Sequence, residues 1–513
     1  MLSKTLVLGN NTQDTDIQTS NLANKQRTIN HGLVDYNKNM DNIAPGFYHT
    51  SLADVSPGYV MQLASKFDEI VLLDQEEYSS KKVILSTFKL FVQLERDSNQ
   101  LGIKVKYKEN KNVQSYSKWT QYFKNNKSFC VYPWINYNDG YNTKGVSGLK
   151  LCARASTRIK EVGKLQDWST DPDYTAIRQK MLKGELIPEH CSICYEYESK
   201  GLTSYRVHDS LDYIAQLEIN ELDDLKEIKN PYYYEIRNGN KCNLQCRMCT
   251  PNHSHLLERE FKKYPELAID GQKRYPNYQY SNVNDVIDID TLTEKHTVYF
   301  TGGEPTVMKE TYEFMRKCIA ANRTDFILTI GTNANFFSEP FWELASEFSN
   351  MQFSVSGDGF GLVNDYIRWR SSWDKIVATC EKIIDQGHLM SWNHVPTIWG
   401  IHRTHEFFEF ASKTFPQAPL YLQYNRIGLT SAFVSPLVEQ VKESMQRCME
   451  TQLYYSDGKD CKSGIDSFYD HYLTYKPDLD HLQKFFKWND AMDKARNITM
   501  ADFIPELDAC RPY

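Results

Sequence analysis

The chain has 513 residues, 41% hydrophobic and 24% charged, with a formal net charge of −7. That length predicts two to four domains, no apolar run reaches the length of a membrane span, and the acidic balance gives no general pull toward nucleic acid or anionic lipid. The opening residues, MLSKTLVLGNNTQDTD, turn polar and acidic without a small-residue cleavage site. They do not read as a signal peptide, so a cytoplasmic location is expected.

In chain order, apolar strand-like runs fall at 5–9, 68–74 and 103–109, with helical spacing at 57–67 and 83–98. Residues 1–110 therefore read as a small α/β accessory domain. Residues 111–215 read as irregular, aromatic and cysteine-bearing, with too little periodicity for a large core of their own; a metal site would staple them. From 228 to 450 the rhythm becomes strand, loop, helix. Strands are expected at 232–238, 297–301, 326–332, 352–357, 393–400 and 420–425. Helices are expected at 254–263, 309–321, 339–348, 371–386, 404–414 and 434–450. Six β-α units in succession predict a parallel sheet with right-handed crossovers, open or curled into a partial (β/α)6 TIM-like barrel. Residues 451–513 read as a C-terminal helical extension.

In such sheets the chemistry lies beyond the carboxyl ends of the strands, and the polar signals collect there. Cys242, Cys246 and Cys249 follow the first strand in NKCNLQCRMCTP, Gly302-Gly303-Glu304 follow the second, and Thr332-Asn333 end the third. Three thiolates in one short loop can hold an iron–sulfur cluster and leave one iron open to a small molecule. The competing reading is zinc, with His253 or His255 as fourth ligand. Of the 12 cysteines, Cys130, Cys152, Cys191 and Cys194 form a second set; Cys318, Cys380, Cys448, Cys461 and Cys510 are scattered and read as ordinary thiols.

The C-x3-C-x2-C loop resembles the signature of the radical S-adenosylmethionine (SAM) superfamily, with Met248 where the family usually has an aromatic residue. FTGGEP at 300–305 resembles the family's GGE segment, FSVSGDG at 353–359 its fourth-strand segment, and GTNAN its third-strand segment. The resemblance implies a SAM-binding [4Fe–4S] cluster on Cys242, Cys246 and Cys249. It implies SAM contacts at Gly302, Gly303, Glu304, Asn333, Ser354 and Arg368, with Glu304 accepting from the SAM ammonium and Arg368 pairing with its carboxylate. A strand serine, a solvated arginine and a turn-forming asparagine are the plain readings of the last three.

The second set, with Trp168, Arg178 and the IRQKMLKGE run between its halves, resembles the SPASM or twitch auxiliary modules of such enzymes. It departs from them in preceding the barrel and in the Gly148-to-Cys152 spacing. The arrangement is similar to twitch-domain radical SAM proteins of bacteria and tailed phages. It implies a second auxiliary [4Fe–4S] cluster on Cys130, Cys152, Cys191 and Cys194, for which structural zinc is the alternative.

The function so implied is reductive cleavage of SAM to a 5′-deoxyadenosyl radical that takes hydrogen from a substrate, with a peptide or protein side chain the leading class. Modification of a sugar, nucleotide or aminoglycoside-like metabolite is the second reading, and a zinc- or cluster-stabilised binding protein the third. An electron donor such as flavodoxin or ferredoxin is expected; a membrane partner is not, and nucleic acid is not indicated. An esterase-like site in the N-terminal unit lacks a G-x-S-x-G elbow; a docking role fits that unit better. His253, Trp399, His402 and Tyr424 stand near the expected rim, where packing is the commoner role for such residues.

Overall fold

The structure, a computed structural model, describes residues 111–141, 147–155, 157–159, 168–199, 204–268, 280–416, 418–422, 429–451, 465, 472 and 478–512. It also describes five short N-terminal strands: β1 (Thr5–Leu8), β2 (Thr28–Ile29), β3 (Phe47–Tyr48), β4 (Glu69–Leu73) and β5 (Lys104–Lys108). The chain divides into two compact units: 1–129 with 203–224 and 454–459, and 130–202 with 225–453 and 460–513.

In the first unit, β1, β4 and β5 form an all-parallel sheet in that order, and β2 pairs with β3. The three expected strands are present; the expected helices at 57–67 and 83–98 lie outside the described residues. Helix Lys111–Asn125 buries Trp119 and Phe123, four residues apart on one face. Trp119 donates to the Ile219 carbonyl at 2.9 Å, and Arg206, itself buried, donates to the Phe129 carbonyl at 2.6 Å.

The second unit is built on one eight-stranded sheet. Its strands are β6 (Asn136–Tyr141), β7 (Ser147–Lys150), β8 (Tyr233–Arg237), β9 (Thr297–Thr301), β10 (Ile327–Thr332), β11 (Met351–Ser356), β12 (Leu389–His394) and β13 (Leu420–Leu422). The order is β13-β12-β11-β10-β9-β8-β6-β7. From β8 to β13 sequential strands are parallel neighbours with helices between them, consistent with a partial TIM barrel. One face packs on those helices through Phe300, Phe353 and Trp392. Phe300 meets Phe314 edge-on at 5.5 Å, and Trp392 meets Phe407 edge-on at 5.2 Å. The opposite face carries the alternate positions, among them Tyr299, Gly331, Ser354, Ser391 and Asn393.

Two expectations are corrected. The fifth barrel strand is Leu389–His394, not 393–400. It starts just past Gly387, whose φ of +79° suits a helix C-terminus, and alternates buried Met390, Trp392 and His394 with more open positions. Pro396 cannot donate to a ladder, and the chain turns through 397–400 instead. The segment 111–215 is also not irregular. It holds helices Lys111–Asn125, Pro172–Leu182, Pro188–Ser199 and Tyr205–Gln216. Asp171 caps the second through the amides of Asp173 and Tyr174, with Pro172 at its first position. Its cysteine-bearing part also adds β6 and β7 to the barrel sheet, β6 running parallel to β8 with Asn136 opposite Tyr233.

The C-terminal extension supplies helix Leu479–Arg496, ended by Asn497 in the left-handed conformation. Leu482, Phe485, Phe486, Trp488 and Met492 pack against Leu257, Phe261, Ile367 and Trp399 of the barrel. Among the described residues no helix is long and apolar enough to cross a membrane.

Candidate functional site

The loop after β8 carries the three cysteines and is held from several sides. Ser254 caps helix His255–Lys263, accepting from the Leu257 amide at 3.2 Å while donating to the Leu244 carbonyl at 2.7 Å. The amides of Gln245 and Arg247 donate to the carbonyls of Trp369 and Ile367 at 3.0 and 2.8 Å.

The GGE segment lies against the start of this loop. Gly303 and Glu304 donate backbone bonds to the carbonyls of Gly239 and Lys241 at 3.2 and 2.8 Å. A Cβ on Gly303 would stand 2.3 Å from the Lys241 oxygen, and Gly302 has a φ of +110°. Both positions need glycine because two backbones meet here.

Glu304 is fully buried. One carboxylate oxygen accepts from the Thr306 hydroxyl at 2.8 Å and the Thr332 hydroxyl at 2.9 Å; the other accepts from the Asn333 amide at 2.8 Å. The Asn333 side chain in turn donates to Asn243 of the cysteine loop at 2.8 Å. The second, third and first barrel loops are thus tied into one hydrogen-bonded rim. Glu304 as a SAM-ammonium acceptor would have to use the oxygen that takes a single bond.

The three sulfurs are close enough to act on one another. Burial, then the neighbouring Cys246 sulfur, holds the Cys242 thiol well above its ordinary value, with Cys249 adding to it. Burial and Cys246 push Cys249 up to about 12. Cys246 is raised by burial against the opposing pull of Arg368. Cys242 is buried and Cys246 and Cys249 are half-buried; thiols raised in this way give up their protons to a metal centre, which supplies the missing positive charge. Among the described residues no three His, Cys, Asp or Glu form a group that could hold a metal ion. The donor set of three mutually interacting thiols in one short loop, with Arg368 in electrostatic range of two of them, fits a cluster's sulfur ligation by its chemistry.

Arg368 is not a solvated arginine. Its Nε lies 2.6 Å from an oxygen of fully buried Asp358. Ser354 lies beside Tyr299 on the inward face of the sheet and opposes the effect of burial, which holds the Tyr299 phenol up at about 12. His255 is turned to the backbone, its Nδ1 accepting from the Cys242 amide at 3.2 Å. His253 is pushed down to about 3, first by burial and then by Arg237. Met248 packs with the C-terminal helix cluster. Trp399 donates to Asn489 at 3.0 Å and His402 bonds Glu506 at 2.8 Å, so both fasten the C-terminal extension. Tyr424 lies outside the described residues.

The sulfurs of the second cysteine set also act on one another. Cys130 is held well above its ordinary value by burial, then by Cys152, Cys191 and Cys194; Cys152 is pushed up to about 12 by burial and Cys194. Cys191 and Cys194 share a face of helix Pro188–Ser199 at three-residue spacing. Arg178 ties this segment together, donating to the carbonyls of Pro133, Ser169 and Trp168 at 2.9, 2.7 and 3.1 Å, while Trp168 donates to the Trp134 carbonyl at 3.1 Å.

Other contributors give no motif in the sequence. Asn243 joins two rim loops. On β8, Glu235 takes bonds from Arg237 at 2.5 Å and from Asn138 of β6, a polar cluster on the inward face. Arg247, between the second and third cysteines, reaches Asn489 and Asp493 of the C-terminal helix at 3.2 and 2.5 Å. The spacing of Asn489, Asp493 and Arg496 along one face of a helix that also buries Phe485, Trp488 and Met492 was the available signal.

Among known proteins, no curated sequence matches this chain. Solved structures with some likeness include Streptococcus suis SuiB bound to S-adenosylmethionine, 14% identical over 54% of this chain and 59% of SuiB, with a TM-score of 0.29. Another is anSMEcpe with bound AdoMet, 14% identical over 43% of this chain and 58% of its own, TM-score 0.32. TYW1 with a lysine–pyruvate adduct is 12% identical over 62% and 70%, TM-score 0.24. The chain thus spans less than two thirds of the length of the first two. Residues 238–404 match the pattern of the family described as the Radical SAM superfamily. That match begins one residue after β8 and takes in the cysteine loop, the GGE turn, Asn333, Ser354 and Arg368, and it supports the radical SAM superfamily for this part of the chain.

Proposed function

We propose that the protein is a radical SAM enzyme whose Cys242, Cys246 and Cys249 hold a [4Fe–4S] cluster, and that its substrate is a peptide or protein side chain. The carrying observation is that three mutually interacting thiols, Cys242 buried and Cys246 and Cys249 half-buried, share a loop hydrogen-bonded, through Asn243, Asn333 and Glu304, to the next two barrel loops. When bound, the cluster supplies the electron that cleaves SAM reductively to methionine and a 5′-deoxyadenosyl radical. The chain's part is orientation. The Glu304 and Asn333 rim fixes the loop, while Arg368, charge-compensated by Asp358, favours anionic sulfur at Cys246 and Cys249. Inward-facing Glu235, Arg237, Tyr299 and Ser354 offer hydrogen bonds to a polar substrate group. Cys130, Cys152, Cys191 and Cys194 would hold a second cluster.

The test is 5′-deoxyadenosine formation by anaerobically reconstituted, dithionite-reduced protein. Wild type is expected to produce it, and Cys242→Ala, Cys246→Ala and Cys249→Ala to fall to background. Retained cleavage in those variants overturns the site, and an inactive wild type with bound zinc favours a binding protein.

A further inference from the structure

The loop's ends are fixed by the barrel, but its middle, Gln245 to Arg247, is also gripped by the C-terminal helix Leu479–Arg496. Two arginines on either side of Cys246 make that grip, and they point in opposite senses. Arg247 leaves the loop and enters the helix cluster. It donates to the Tyr366 carbonyl at 2.9 Å, to Asn489 at 3.2 Å and to Asp493 at 2.5 Å, with its guanidinium carbon 3.7 Å from the Tyr366 ring centroid. The Tyr366 hydroxyl donates to the same Asp493 at 2.9 Å.

Arg496 leaves the helix and enters the loop. Its Nη2 donates to the Gln245 carbonyl at 3.0 Å and to Glu260 at 2.7 Å, while its Nε donates to Glu260 at 2.9 Å. The side chain is 1% exposed. Glu260 belongs to the helix that follows the loop, so one guanidinium bridges the residue before Cys246 to the loop's far end. Arg496 is also within electrostatic range of the Cys246 sulfur. Its third nitrogen, Nη1, is buried without a hydrogen-bond partner among the described residues. A buried N–H lacking an acceptor is costly, and sulfur ligated at Cys246 is an acceptor within that arginine's field.

We propose that the C-terminal helix is part of the cluster-binding site, with Arg496 the positioning residue that orients Cys246 and makes the cluster easier to reduce. Positive charge and N–H donation toward cluster sulfur both raise a cluster's reduction potential. The proposal rests on the reading that Cys242, Cys246 and Cys249 carry a cluster.

The experiment is a dithionite redox titration of the reconstituted full chain, followed by electron paramagnetic resonance. The signal tracked is the one that changes when SAM is added, which separates the open cluster from any second one. Arg496→Gln is expected to lower the midpoint, with several-fold slower 5′-deoxyadenosine formation at limiting reductant. Arg496→Lys, which keeps the charge but not the fork, should recover part of both. A wild-type midpoint in Arg496→Gln overturns the proposal. Should that variant not fold, Glu260→Gln removes the counter-charge instead and is expected to raise the midpoint; no change there overturns it equally. A wild type without any SAM-responsive signal removes the cluster reading itself, a different outcome from an unresponsive variant.

Discussion

Placing one methyl group on Gly303 tests whether the GGE turn works by close backbone approach. An added Cβ would meet the Lys241 carbonyl oxygen at 2.3 Å, the Met308 methyl at 2.8 Å and the Asn240 carbonyl carbon at 3.0 Å. Met308 can swing aside, but Lys241 is backbone and directly precedes Cys242, so the loop itself has to retreat by roughly 0.7 Å to reach tolerable contact. Overpacking of that kind costs about 1–3 kcal/mol. The bonds from the Gly303 and Glu304 amides to the loop, at 3.2 and 2.8 Å, weaken as well, at about 1 kcal/mol or less each. Together these place about 2–4 kcal/mol against the seated loop, roughly a 30- to 700-fold shift in its occupancy. Gly303→Ala is therefore expected to lose iron from the barrel site and most SAM cleavage. Gly239→Ala meets only the Met308 sulfur at 3.9 Å and should stay close to wild type. Iron per chain and 5′-deoxyadenosine yield, measured side by side, decide it. Normal iron and turnover in Gly303→Ala would refute the reasoning.

Three further outcomes are expected. Asp358→Asn leaves the half-buried Arg368 without its charge partner and should destabilise the barrel by about 3 kcal/mol at most in denaturant unfolding. Arg178→Lys cannot serve three carbonyls in different directions, and should lower the melting temperature together with the metal content of the four-cysteine site, read by elemental analysis that also separates iron from zinc. Burial holds the Asp139 carboxyl up at about 6 despite the nearby Arg237 and bonds from Ser281 and Arg237. A carboxyl raised in this way favours the folded state fully below its unfolded value near 4 and loses that contribution as pH climbs through 6. Replacing it as Asp139→Asn should therefore gain up to about 3 kcal/mol relative to wild type between pH 4 and 7, as followed by unfolding across that range.

The barrel was legible because its strands and helices alternate in period and its polar motifs fall at strand ends. Helix Thr404–Thr414 and strand Thr297–Thr301 coincide with their expected bounds. The fifth strand was misplaced because its inward positions, Ser391 and Asn393, dilute the apolar run, while VPTIWG downstream looks more strand-like than Pro396 allows. The order within 111–215 was hidden because helices Pro172–Leu182 and Pro188–Ser199 carry little apolar periodicity, and Arg178 and Trp168 hold the segment together by reaching carbonyls elsewhere in the chain. Glu304 shows the same limit at the rim. GGE marks the turn, but nothing local in it marks the sharing of its carboxylate among Thr306, Thr332 and Asn333. Contacts spanning more than two hundred residues, such as Arg247 with Asp493, leave no local pattern to read.

The pairing of β6 along β8 alters what a deletion could leave behind. Without residues 130–202, β8 would present an open row of amides and carbonyls on the flank that β6 occupies. Unguarded edges of that sort recruit strands from other molecules. The segment bearing the second cysteine set therefore acts as a selvedge for the barrel, and trimming it away would favour aggregation even before any metal was lost.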